Sequence, residues 1–436
     1  MALVCPEDII ACILNPFDPS TDISTLRQCT LVSRPFLLAS RKKLFAAISL
    51  HLGMQESAVE RFERLHQVLS DHPGLVRSIK RLDISLQCQK SSYIGHHERI
   101  DAKMTCFEGQ LRQGVIPILL MIAEQGDLKV LQFAPCTTQE LPLAFPWRQA
   151  LSNVIRSSSL HTFSVRFWCH CDIPIDIIAL AGPRLKHLTL QGRSCVNPDC
   201  PTLTPPISRS PSRSQLETLV IEGNFRHKVW QYLAAPNSPL DLTQMQTLVL
   251  ETTTDEALTH AAEILQLCCS ALKCFVFYLS DMQPLDLQVP MHLQTLIVVF
   301  DDDDSHLMHD LAARVPASLE HLAVLINYYD NPRGFLEQTA TGSETAVLDF
   351  VLELACMQST YPLRITVLFF LDLKLTESCD CMPSRWPVAF HDGVFSLKEY
   401  FPRASAAGAR LSGGVELQED FDTILDGLRG AATREN

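Results

Sequence analysis

Cys169-His170-Cys171, with Cys195 and Cys200 downstream, is the group of side chains in this sequence that most invites a metal ion. Thiolates and imidazoles are the ligands of tetrahedral zinc, but zinc sites typically pair them about two to four residues apart. A Cys-x-Cys pair is cramped, and on a strand its two side chains share one face. Cys379-Asp380-Cys381 has the same weakness. Buried or loop thiols are the default reading, so no metal and no cofactor is assigned. Asp301-Asp302-Asp303-Asp304 could attract a cation or a basic partner, yet it precedes a helical run, Ser305 to Arg314, whose first amide groups and dipole favour carboxylates. Ser208-Arg209-Ser210-Pro211-Ser212-Arg213 reads equally as an unmodified linker or as a phosphorylation segment in which added phosphate pairs with the neighbouring arginines. No glycine-rich phosphate loop, GxSxG elbow or HExxH pair is present, and the histidines are scattered. No catalytic residue is assigned, and the chain is read as a protein that is not an enzyme.

The strongest pattern is structural. A motif of the form apolar-x-x-apolar-x-apolar recurs as Ile79-Leu82-Ile84, Leu128-Leu131-Phe133, Leu160-Phe163-Val165, Leu185-Leu188-Leu190, Leu216-Leu219-Ile221, Met245-Leu248-Leu250, Leu272-Phe275-Phe277, Leu293-Leu296-Val298 and Leu319-Leu322-Val324. The last two positions are two apart, so both point to one side of a short strand, and the first suits the turn into it. A unit this small cannot bury its apolar face alone and must stack on a neighbour. From Leu128 the motifs follow one another at 32, 25, 31, 29, 27, 21 and 26 residues, close to the period of leucine-rich repeats. The step of 49 from Ile79 to Leu128 implies an insertion or an unrecognised copy around Ser91 to Gly109.

Helical stripes separate the strands, at Val59, Phe62, Leu65 and Leu69, at Leu258 to Cys268, and at Val347 to Ala355. The fold class is therefore α/β: a curved solenoid of leucine-rich type over residues 46–401, with its parallel strands lining one face and its helices the other. Residues 1–45 form three short helices, at Pro6 to Leu14, Ser24 to Val32 and Phe36 to Leu44. Pro402 to Gly414 reads as a small-residue linker, and Leu417, Phe421, Ile424, Leu425 and Leu428 as an amphipathic C-terminal helix.

A net charge of -13 excludes broad phosphate-backbone binding and disfavours an anionic membrane surface. The apolar runs at Val115 to Ala123 and Ile365 to Leu373 are too short to span a bilayer. Sixteen cysteines without a secretion signal point to reduced thiols in the cytosol or nucleus.

Pro6-Glu7-Asp8-Ile9-Ile10 with Ile13-Leu14, then Leu26-Arg27-x-Cys29-x-Leu31-Val32-Ser33-Arg34, then Arg41-x-x-Leu44-Phe45, resembles the F-box, most closely the F-box-like segment of mushroom-forming fungi. Many members of that family carry leucine-rich repeats downstream. The resemblance implies a module that docks on the Skp-type adaptor of a Skp–cullin–F-box ubiquitin ligase while the repeats hold a protein substrate. The family positions that make the adaptor contact match Pro6, Ile9, Ile10, Ile13, Leu14, Leu31, Val32 and Phe36. Two departures stand out: the usual Leu-Pro pair is Cys5-Pro6, and the usual Trp of the third helix is Phe36. The alternative is a non-catalytic repeat scaffold whose N-terminal helices only cap the stack, as repeat arrays require.

Overall fold

The computed structural model describes residues 7–17, 22–52, 57–86, 111–134, 145–157, 159–167, 178, 180, 183–192, 213–223, 225, 227–236, 238–251, 255–279, 290, 292–301, 315–328, 343–359, 362–371 and 402–417. The chain divides into two compact units, residues 1–215 and 216–436. It is an α/β protein, and within each unit the strands of the main sheet pair in parallel with the next strand of that sheet.

The first unit opens with three helices, α1 (Glu7–Leu14), α2 (Ile23–Cys29) and α3 (Arg34–Leu44). Pro35 lies in the first turn of α3, where its missing N–H leaves no hydrogen bond unmade, and Arg41, Lys42 and Lys43 complement the dipole in its last turn. Ile10, Leu14 and Leu26 form a small buried core, against which Phe17, Cys29, Phe36, Ala39 and Leu44 pack. The alternating strand β1 (Ala47–Leu52) follows, with Ile48, Leu50 and Leu52 buried and Ser49 and His51 exposed.

Beyond β1 come α4 (Ser57–Asp71), the single turn α5 (Pro73–Val76), β2 (Arg81–Leu86), α6 (Ile116–Gln125), β3 (Val130–Ala134), α7 (Phe145–Ser157), β4 (Thr162–Phe167) and β5 (His187–Gly192). Phe62 and Leu69 bury the apolar stripe of α4. A π-helical turn, Leu111–Val115, leads into α6. Its Gly114 permits close packing, because a Cβ there would lie 2.5 Å from Cβ of Phe62.

The second unit carries β6 (Thr218–Glu222), α8 (His227–Ala234), β7 (Thr247–Glu251), α9 (Asp255–Cys268), β8 (Cys274–Leu279), β9 (Thr295–Asp301), β10 (His321–Tyr328), α10 (Ser343–Gln358), β11 (Arg364–Leu371), α11 (Pro402–Ala406) and β12 (Arg410–Leu417).

The recurring motif sets the register. In the first unit Leu82 aligns with Leu131, Phe163 and Leu188, and Ile84 with Phe133, Val165 and Leu190. In the second, Leu219 aligns with Leu248, Phe275, Leu296 and Leu322. Every leading residue, from Ile79 to Leu319, is at most 1 % exposed, so the turn position is as much part of the core as the strand. The turns themselves repeat. The Lys80 carbonyl accepts the N–H groups of Lys129 and Val130 (2.8 and 2.9 Å), and the Lys129 carbonyl those of His161 and Thr162 (2.8 and 3.0 Å). In the second unit the Gln246 carbonyl accepts from Lys273 and Cys274, both at 2.9 Å. One acceptor thus satisfies two donors of the next repeat, which leaves few backbone groups unpaired where the chain turns.

Two features differ from the sequence expectation. Residues 402–417 are not a linker: they form α11 and β12, and β12 pairs with β11 along its length. Gly413 and Gly414 masked a period-two pattern, Leu411, Val415 and Leu417, which matches Ile365, Phe369 and Leu371. The expected C-terminal helix beyond residue 417 lies outside the described residues. The long step from Ile79 to Leu128 fits the insertion that the sequence allowed, because β2 pairs directly with β3 and no strand of the ladder lies between them. Residues 87–110, including the suspected extra copy, lie outside the described residues, and 116–125 are helical. The compact division falls at residue 215, and the N-terminal helices lie in the first unit.

The second difference concerns the second unit, where the sheet is apolar on both faces. Val220, Val249, Cys274, Val276, Ile297, Val299, Ala323 and Leu325 form a second buried cluster on the side opposite the motif residues. Strands that read Thr-Leu-Val-Leu, Cys-Phe-Val-Phe and Thr-Leu-Ile-Val-Val are apolar on both faces, which is how strands covered on both sides are written. Among the described residues no helix is long and apolar enough to cross a membrane.

Candidate interaction surfaces

The N-terminal helices sort their apolar residues sharply. Ile10 and Leu14 are 1 % and 2 % exposed, while Ile9 and Ile13, one turn apart on another face of α1, are 50 % and 48 % exposed. Leu31 and Val32, in the turn after α2, are 86 % and 66 % exposed. Of the eight residues matched to the adaptor contact, Ile10 and Leu14 are core, and Phe36 is half-buried against that core. Ile9, Ile13, Leu31 and Val32 are accessible, and Pro6 lies outside the described residues. Single exposed apolar residues are ordinary, but the three helices also leave Ile23 and Leu38 exposed, so six large apolar side chains stay out of a small core.

The first unit offers a different surface. On the sheet side opposite the motif residues, Ser49, Asp83, Gln132, Ser164 and Thr189 lie in one row across β1 to β5. Beside them run Arg81 next to Ala47, and His51 next to Ser85. Cross-strand hydrogen bonds order this face. Arg81 Nε donates to Asp83 Oδ1 and Oδ2 (3.1 and 3.0 Å) and its Nη2 donates to Gln132 Oε1 at 3.1 Å. His51 Nδ1 and Ser85 Oγ are 2.6 Å apart. The result is a polar sheet face with fixed donors and acceptors, exposed at Ser49 and His51, half-buried at Asp83, Gln132 and Thr189, and buried at Ser164. Sequence reasoning treated these positions as spacers; their polar character at every second residue was the available signal.

The second unit closes its ladder with polar contacts rather than a reactive group. His321 Nε2 and Thr366 Oγ1 are 2.9 Å apart, and Thr366 Oγ1 lies 3.0 Å from Ser412 Oγ, tying β10, β11 and β12. Buried Asp349 on α10 accepts the Arg403 and Ala404 amides of α11, at 3.1 and 3.0 Å. This long-range cap satisfies donors that a short helix cannot pair internally. Asp349→Ala is expected to destabilise the second unit by about 2 kcal/mol, with Asp349→Asn between it and wild type, as read from denaturant unfolding.

Charge is concentrated in one turn of the first unit. The Ser159 hydroxyl, together with the Lys129 and Lys80 ammonium groups at 2.9 Å each, holds the Asp127 carboxyl well below the usual carboxylate range. A lowered folded-state value stabilises the fold above the unfolded value of about 4, and the contribution fades as pH falls through the folded one. Asp127 is half exposed, so solvent screening keeps the effect under about 1 kcal/mol. Asp127→Asn is accordingly expected to lower the melting temperature slightly at pH 7, with the gap narrowing progressively below about pH 4.

Burial pushes the Cys268 thiol up to about 12 and the Cys356 thiol up to about 11, which makes both poor nucleophiles at neutral pH. Among the described residues no group of three or more His, Cys, Asp or Glu side chains is placed to hold a metal ion. Cys169, Cys171, Cys195, Cys200, Cys379, Cys381, Asp302 to Asp304 and Ser208 to Ser212 lie outside the described residues. No family model matches this chain, and no curated protein matches it either.

Proposed function

We propose that the chain is a recruitment subunit that performs no covalent chemistry. Its N-terminal helices dock as an F-box on a Skp-type adaptor, and through it on a cullin-RING ubiquitin ligase, while its repeats bind a protein substrate. The observation that carries this reading is the exposure of Ile9, Ile13, Leu31 and Val32, four of the positions matched to the adaptor contact. Those four provide the apolar anchors that dominate protein interfaces. Phe36, in place of the family's Trp, contributes chiefly to the helical core in this reading, and adaptor affinity rests on the exposed residues.

The substrate surface is the polar strand face of the first unit, since the corresponding apolar face of the second unit is already covered. Joining substrate and ligase through one chain raises the substrate's local concentration near the conjugating enzyme. Calorimetric titration of a purified Skp-type adaptor into the full-length chain tests the reading. Saturable one-to-one binding is expected. Absence of heat and of co-elution would leave the N-terminal helices as a cap on the repeats, a role that the burial of Ile10, Leu14 and Leu26 already equips them for.

A further inference from the structure

A groove of about 700 Å³ lies within the first unit, between α3 and the chain from α5 to the start of β2. Leu14, Pro35, Leu38 and Ala39 give it apolar lining. Lys42, Lys43, Arg77 and Lys80 also line it, and among the described residues no Asp or Glu does. In a chain of net charge -13, four cations gathered around one cleft, with no carboxylate among its described lining residues, run against the average field of the molecule. The helix dipole accounts for Lys42 and Lys43, at the C-terminal turn of α3. It does not account for Arg77 and Lys80, which arrive from another part of the chain. Lys43 Nζ donates to the Asn15 carbonyl at 3.0 Å and Lys80 Nζ to Asp127 Oδ2 at 2.9 Å, so these two ammonium groups are held in place. Lys42 and Arg77 are exposed and make no ion pair among the described residues.

We infer that this groove binds an acidic peptide segment of a partner protein, with an apolar side chain entering against Leu14, Pro35 and Leu38 and flanking carboxylates meeting Lys42 and Arg77. The volume suits several residues rather than one small ion. Mixed apolar and cationic lining discriminates such a segment from both a purely apolar helix and a bare anion. The inference is independent of adaptor docking, which uses Ile9, Ile13, Leu31 and Val32; the Ile9→Asp/Ile13→Asp chain keeps the groove and should keep peptide binding.

Gly74 supplies the means of testing it. Gly74 lines the groove and a Cβ there meets nothing within 4 Å, so Gly74→Phe starts its side chain in open space at the groove, and thermal unfolding checks that the fold is kept. Lys42→Glu/Arg77→Glu reverses the charge at two exposed positions. The experiment selects from a displayed library of random peptides about twelve residues long on the full chain, then measures a recovered, synthesised peptide by fluorescence anisotropy. The expected result is enrichment of Asp and Glu around Leu or Phe. Affinity should fall at least tenfold in Gly74→Phe and in the charge-reversed chain, and should weaken as salt rises. Recovery of peptides without acidic enrichment, or equal affinity for wild type and both variants, would overturn the inference.

Discussion

Val276→Asp is expected to abolish the cooperative unfolding transition of the second unit, while Gln132→Glu in the first unit leaves its transition in place. The two positions lie on the same side of their strands, opposite the recurring motif, and differ in what surrounds them. Val276 is fully buried, flanked in register by Val249 and Ile297, within a cluster that includes Cys274, Val299 and Leu325. A carboxylate placed there is either charged without a partner or neutral at the cost of a large pKa shift, and both cost several kcal/mol. Against a typical stability of about 5–15 kcal/mol for a whole domain, that is a decisive loss. Gln132 instead accepts a hydrogen bond from Arg81 Nη2 on a half-buried polar face, so a carboxylate gains an ion pair worth at most about 1 kcal/mol. Denaturant unfolding followed by circular dichroism separates the outcomes. A Val276→Asp chain as stable as wild type would mean that the second face is open in solution.

The other large effect concerns binding. Ile9→Asp/Ile13→Asp is expected to weaken capture of a Skp-type adaptor by about 100-fold or more, the loss of roughly 3 kcal/mol from two apolar anchors. Both side chains are about half exposed, so the same substitutions should leave thermal unfolding nearly unchanged. Leu26→Ala provides the contrast. It removes a fully buried member of the helical core, costs about 2–5 kcal/mol of stability, and weakens binding only by loosening the module. A double aspartate chain that folds and binds the adaptor normally would remove the exposed face of α1 from the interface.

The repeat was legible because its physics is local. Each motif copy carries its own strand pair and its own buried turn residue, so the nine copies read from sequence are the nine strands β2 to β10. In the structure β1, with Ile48 and Leu50 buried, extends that series backward by pairing with β2. The forward end was lost at Gly413-Gly414, where two small residues resembled a linker and only pairing with β11 makes them a strand. The sealed second face was written in the uninterrupted apolar runs around Val249, Val276 and Ile297, but a motif that scores alternate positions does not see it. At the N-terminus, spacing gave the three helices. It could not divide Ile9 and Ile13 from Ile10 and Leu14, because that division depends on how α1 and α2 pack against α3. The basic groove was illegible for a similar reason: Lys42 and Arg77 are remote in sequence and meet only through tertiary structure.

Hydrogen exchange on the full-length chain, with and without a purified Skp-type adaptor, probes the recruitment reading at the residues on which it rests. The account predicts slowed exchange in peptides covering residues 7–17 and 28–34, with the strands of the second unit unchanged. Identical exchange at residues 7–17 and 28–34, at adaptor concentrations that saturate a known F-box partner, would contradict it.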